Sequence, residues 1–70
     1  MKELDVVRLK RTVPTVPVPA GSIGTIVVDF YASPPAHEVE FLVDGHSIGT
    51  YAIGENDLEL VKDSPGSDSQ

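Results

Sequence analysis

The chain has 70 residues, of which 40% are hydrophobic and none is cysteine. A single small domain is expected, and apolar packing has to supply its core because no disulfide or thiolate metal site can supplement it. Five basic against eleven acidic residues give a net charge of −6, so nucleic acid is disfavoured as a partner because its phosphates would be repelled. No apolar run approaches the roughly 20 residues that cross a bilayer, and the charged start has no signal-peptide pattern. These features predict a cytoplasmic protein without membrane association.

The first predicted strand is basic. Residues 5–11 read "DVVRLKR" and are rich in β-branched side chains. Because successive side chains of a strand point to opposite faces, Val7 and Leu9 share one face, while Arg8 and Lys10 lie on the other. The pattern predicts a strand with one apolar and one cationic face.

A long loop is predicted over residues 12–22, since Pro14, Pro17 and Pro19 lack the N–H that a central strand needs. Pro14 and Pro17 have the P-x-x-P spacing of peptide ligands, but a segment tied into strands at both ends favours a scaffold role. The valines between the prolines are predicted either to pack over an open end of the domain or to stay exposed as an apolar contact surface. These valines are Val13, Val16 and Val18.

Period-two alternation continues through the rest of the chain and predicts four more strands. They cover residues 24–31, 37–43, 47–53 and 58–61. Asp44-Gly45 is a tight hairpin signal between two of them, and "GEND" predicts a turn with a single helical turn. In the strand over residues 24–31 the alternation places Ile26, Val28 and Phe30 on one face.

Five short strands without a long helix predict an all-β fold, a small five-stranded SH3-like barrel with a long proline-rich loop after strand 1. The barrel is expected to span residues 1–62. The tail over residues 63–70 holds no apolar side chain and is predicted to be disordered.

The polar side chains that carry chemistry elsewhere form no catalytic pattern here. His37 and His46 are predicted as exposed residues near turns rather than metal ligands. Asp29, Glu38 and Glu40 are predicted as carboxylates on a solvated strand face, since a barrel this small has no pocket to perturb them. The sequence therefore predicts a protein that is not an enzyme, with no cofactor and no metal.

Four stretches carry a family resemblance: "DVVRLKR", a loop ending in "AGSIGTIV", "HEVEFLVDG" and "ENDLELV". Over residues 3–62 the chain resembles the domain-of-unknown-function family 4926, a family of small bacterial proteins. The motifs G-x-x-G-T-I-V, E-V-E-F and D-L-E-L-V occur in the right order and spacing. The resemblance implies an SH3-like barrel of prokaryotic origin and brings no established catalytic residues.

The favoured functional hypothesis is a non-catalytic module that contacts a protein partner through the basic strand and the loop. A small acidic inhibitor or immunity-type protein that neutralises a basic partner is the alternative, and KOW-like RNA or ribosome binding through "AGSIGTIV" is a third. The identity of the partner and the oligomeric state stay open. The candidate partner-binding residues are Arg8, Lys10, Arg11, Val13, Val16, Val18, Tyr31 and Tyr51.

Overall fold

Five antiparallel strands form one sheet in the computed structural model of the chain, which describes residues 1–30 and 33–63. The order across the sheet is β4-β3-β2-β1-β5, and a three-residue 3-10 helix joins β4 to β5. The predicted all-β class is confirmed. The predicted disordered tail lies, beyond Asp63, outside the described residues. The elements are β1 (Val6–Leu9), β2 (Ile23–Phe30), β3 (Ala36–Val43), β4 (His46–Gly54), the 3-10 helix (Glu55–Asp57) and β5 (Leu58–Lys62).

The hairpin between β3 and β4 forms where the sequence signal predicts it. Asp44 and Gly45 have φ angles of 53° and 81°, the left-handed region that two-residue hairpins of this kind require. Glycine adopts this region freely and aspartate tolerates it better than most residues. The turn therefore fixes the register between β3 and β4.

The strand pairing shows an open sheet rather than a fully closed barrel. β4 pairs only with β3 and β5 only with β1 among the described residues, so the sheet stays open between its two edge strands. Only the three residues of the 3-10 helix separate the end of β4 from the start of β5. The two edge strands are joined there by this turn and not by a ladder of hydrogen bonds.

The short crossing nevertheless bends the sheet strongly. In a flat sheet the two edge strands would lie about 19 Å apart, four spacings of about 4.8 Å. The 3-10 helix rises only about 2 Å per residue, so Gly54 and Leu58 lie within about 8 Å of each other. The backbone of this helix is hydrogen-bonded to residues next to β3 and next to β1. The Glu55 N–H donates to the Pro35 carbonyl at 3.0 Å, and the Lys10 N–H donates to the Asp57 carbonyl at 2.8 Å. The sheet therefore curls around its concave face.

The concave face holds the core. Each strand contributes apolar side chains to it, and two further valines come from the segment between β1 and β2. The outer, convex face has no element packed over it within the described part of the chain. The buried core residues are Val7, Leu9, Val16, Val18, Ile26, Val39, Phe41, Ile53 and Leu58.

A bulge in β2 breaks the predicted alternation. Ile26 is opposite Val39 on β3, but the next pair is Val28 and Glu38, so Val27 is an extra residue. The prediction that Val28 and Phe30 share the buried face of Ile26 is therefore wrong: they are 41% and 39% exposed on the outer face. The bulge brings the following aspartate, rather than a hydrophobic side chain, to the concave side.

β2 and β3 approach each other closely at Gly24. A Cβ atom added at Gly24 would lie 2.6 Å from Val39 Cγ1 and 2.9 Å from the Glu40 carbonyl oxygen. We expect Gly24→Ala to lower the free energy of unfolding by about 1–3 kcal/mol, because neither β3 atom can move away cheaply. Urea denaturation followed by circular dichroism measures the change.

Gly54→Ala is the matched control for this prediction. No heavy atom lies within 4 Å of the Cβ position at Gly54, whose backbone is extended with φ −63°. Its unfolding free energy is expected to stay within about 0.5 kcal/mol of the wild type. Equal effects of the two substitutions would contradict the close approach at Gly24.

Candidate functional site

The valines of the proline-containing segment close one end of the core. Val16 and Val18 are each 5% exposed and belong to the core cluster, and Val13 packs partly against it. The segment is held by hydrogen bonds at its base, from the Leu9 N–H to the Ser22 carbonyl at 2.9 Å among others. Of the two predicted alternatives, packing over the open end is therefore the one found for Val16 and Val18.

The basic side chains of the β1 region are paired within the chain. Arg8 Nη1 lies 3.2 Å from Glu59 Oε1 on β5. Arg11 holds the Asp57 carboxylate with two hydrogen bonds, Nε–Oδ1 at 2.6 Å and Nη2–Oδ2 at 3.1 Å. The hydrogen bond and charge of Asp57 raise the pKa of Arg11 above its ordinary value. Lys10 is exposed and forms no ion pair within residues 1–30 and 33–63. Because Arg8 and Arg11 are paired, Lys10 is left as the unpaired cation of the predicted basic surface in the part of the chain that the structure describes.

Tyr51 does not extend this surface. Tyr51 is half-buried, its hydroxyl donates to the Ile48 carbonyl at 3.1 Å, and its ring centroid lies 6.4 Å from that of Phe41. It therefore packs at the rim of the core. Tyr31 lies outside the described residues.

Sequence reasoning missed a buried polar cluster centred on a histidine. His37 is 1% exposed on the concave face of β3, which corrects its prediction as an exposed residue near a turn. Its Nε2 lies 2.7 Å from Glu55 Oε1, and since a carboxylate only accepts, Nε2 donates this hydrogen bond. Its Nδ1 lies 3.3 Å from Asp29 Oδ1, close enough for charge interaction but without hydrogen-bond alignment among the described residues.

The bulge in β2 explains why the cluster forms. Without the extra residue Val27, Asp29 would point outward, as the sequence alternation predicts. Instead it lies directly opposite His37 in the register, with its carboxylate only 16% exposed. Within the described residues, no group of three or more histidine, cysteine, aspartate or glutamate side chains is arranged to hold a metal ion.

The outer face of β2, β3 and β4 is the largest uncovered region of the sheet. Alternation and register place its side chains opposite to the buried ones, and none of them is buried. Four are large and apolar, with exposed fractions from 39% to 58%: Ile23, Val28, Phe30 and Leu42. The full outer face comprises Ile23, Thr25, Val28, Phe30, Ala36, Glu38, Glu40, Leu42, Ser47, Thr50, Ala52 and Gly54.

Two carboxylates occupy the centre of the outer face. Glu38 and Glu40 alternate along β3 with their Cα atoms about 7 Å apart, with Val28 and Thr25 opposite them on β2. Thr50 Oγ1 donates a hydrogen bond to Glu38 Oε2. Neither carboxylate has an ion pair among the described residues, in contrast to Glu59 and the other paired acids at the β1–β5 side. The prediction that Glu38 and Glu40 lie on a solvent-facing side is confirmed.

Comparison with known proteins identifies a family. The family model for a domain of unknown function, DUF4926, matches residues 3–60. The chain belongs to this family, and the predicted resemblance is confirmed. No curated protein and no solved structure matches the chain. The described residues include no helix with the length and apolar character to cross a membrane.

The buried valines give a stability prediction. Val16→Ala removes two methyl groups from a packed site, so we expect the free energy of unfolding to fall by about 2 kcal/mol, combining lost transfer energy with a small cavity. Val28→Ala, on the outer face, should change it by less than about 0.5 kcal/mol. Urea denaturation of both variants measures the difference, and an unaffected Val16→Ala would show that the segment does not close the core.

The two histidines give a second, matched prediction. His37→Phe keeps an aromatic ring at this position but leaves Glu55 without the hydrogen bond from Nε2, so we expect a loss of about 1–3 kcal/mol in unfolding free energy. His46→Phe, at an exposed position, should stay within about 0.5 kcal/mol of the wild type. Thermal and urea denaturation at neutral pH provide the measurement. Equal stability of the two variants would contradict a structural role for the cluster.

Proposed function

We propose that the chain is a non-catalytic, SH3-like module that acts by binding a protein partner. Support for the SH3-like assignment comes from the strand order β4-β3-β2-β1-β5, the long connection between β1 and β2, and the 3-10 turn before the last strand. The strong curl of a five-stranded sheet supports a half-open barrel. In this proposal the module works in the cytoplasm of a bacterial cell.

The observation that carries the binding role is the apolar exposure on the outer face. Large apolar side chains exposed together on one face mark interaction sites more often than isolated ones do. Ile23 and Leu42 form one such group at one end of the face, since register places them on neighbouring strands, and Val28 and Phe30 form another. This location differs from the β1 and loop surface expected from sequence, where the valines are buried and the arginines are paired.

The interior of the domain offers no alternative site among the described residues. The concave face is filled by its own side chains, and the described residues enclose no pocket that would admit a small substrate. A partner would therefore have to bind to the protein surface. On a strand face of this kind, a few large side chains would supply most of the binding free energy.

A peptide selection tests the binding role with defined probes. Twelve-residue peptides displayed on phage are selected against the folded full chain, and the dissociation constants of the selected peptides are measured by calorimetry. We expect Leu42→Ser and Val28→Ser each to weaken binding about ten-fold, the loss of roughly 1.4 kcal/mol that a contributing apolar contact gives.

Two substitutions on other surfaces serve as matched controls. Leu4 is 60% exposed, compared with 58% for Leu42, and Val61 is 44% exposed, compared with 41% for Val28. Leu4→Ser and Val61→Ser should leave the dissociation constants within about two-fold, because hydrophobicity is lowered equally but away from the face. A failure to select any peptide, or equal losses in all four variants, would refute binding through the outer face.

A further inference from the structure

We infer that the partner of the outer face is basic, and that its lysine or arginine side chains bind between the apolar groups at Glu38 and Glu40. This inference rests on the proposed function and names the chemistry of its partner. It follows from the arrangement of charge on the sheet, in which two carboxylates without cations lie at the centre of the uncovered face.

Glu38 is held in place by a hydrogen bond, while neither Glu38 nor Glu40 has an ion pair among the described residues. Thr50 donates a hydrogen bond to Glu38, which orders the side chain without neutralising it. Glu40 is opposite Thr25 on one side and Thr50 on the other, so no cation neighbours it across either strand. Two like charges about 7 Å apart on one strand face repel each other, and a cation placed between them would relieve that repulsion.

No cation of the chain forms an ion pair with Glu38 or Glu40 among the described residues. Arg8 is engaged by Glu59. Lys62 lies in the same transverse row as Glu40, but three strands away, at about 14 Å. At this distance an exposed pair is largely screened at physiological salt, where the Debye length is about 8 Å. The outer face therefore carries a local negative potential that only an external group can neutralise.

The pattern of the face favours a protein over other occupants. A nucleic acid would bring phosphates to two carboxylates, which is repulsive. A second copy of the chain that bound through the same face would bring its own Glu38 and Glu40 to this face. Both copies also carry a net charge of −6, so they would repel each other. A partner that alternates basic and apolar side chains satisfies both the carboxylates and the flanking pairs Ile23–Leu42 and Val28–Phe30.

The same peptide selection tests this inference through charge. We expect the selected peptides to be enriched in arginine or lysine between apolar residues. The double variant Glu38→Gln/Glu40→Gln should weaken their binding about ten-fold, because glutamine keeps the size and the acceptor for Thr50 but removes the charge. Raising the salt from 0.05 M to 0.5 M should weaken wild-type binding and leave the double variant nearly unchanged.

Glu3→Gln/Asp44→Asn is the matched control, since it removes two exposed carboxylates that lie off the outer face. Its dissociation constants for the selected peptides should stay within about two-fold of the wild-type values if the position of the carboxylates, rather than the net charge of the chain, governs affinity. An equal loss in both double variants would overturn the inference, because net charge alone would then explain the binding.

The remaining outcomes separate this inference from the function on which it rests. Peptides that depend on Leu42 and Val28 but show no basic enrichment, and that tolerate Glu38→Gln/Glu40→Gln, would overturn the basic partner and leave the binding role standing. Loss of dependence on Leu42 and Val28 would remove the binding role itself. Sedimentation equilibrium showing a dimer that Leu42→Ser dissociates would assign the face to a second copy and overturn the inference.

Discussion

The three-residue crossing from β4 to β5 is the constraint on which the rest of the structure depends. Because Glu55–Asp57 must connect the two edges of one sheet, the sheet has to curl until those edges come near each other. The Glu55 N–H donates to the Pro35 carbonyl just before β3, and the Lys10 N–H just after β1 donates to the Asp57 carbonyl, so the turn is bonded next to both inner neighbours of the edge strands. The curl creates a concave face that the chain can fill and a convex face that it leaves uncovered.

The same crossing provides the side chains of two electrostatic contacts. Glu55 accepts the hydrogen bond of buried His37, and Asp57 holds Arg11 with two hydrogen bonds. Acidic residues that the sequence presents as part of a polar turn thus serve as partners for β3 and for the end of β1. The negative charge at this side of the domain is largely used internally, and the uncompensated charge lies elsewhere.

The strands, the hairpin and the helical turn could be predicted because each depends on local pattern. Asp44-Gly45 can form only a narrow range of turns, and the residues around Val39 and Phe41 alternate cleanly. The role of Asp29 could not be predicted in this way, because a single bulge at Val27 reverses every side chain that follows it in β2. Nothing in "GTIVVDF" indicates where the extra residue falls.

The candidate site could be predicted only in part for a related reason. Sequence identifies cations near β1, but whether a charge is free depends on which strand becomes its neighbour, and the pairing of β5 with β1 is a long-range contact. That pairing brings Glu59 to Arg8 and removes the predicted basic surface. β3, in the middle of the other half of the sheet, has only uncharged outer-face neighbours on β2 and β4, so no cation lies beside Glu38 or Glu40 across either strand. The strand order itself therefore separates a neutralised side from an acidic face, and binding by charge complementarity is favoured at the face where the fold provides no counter-ion.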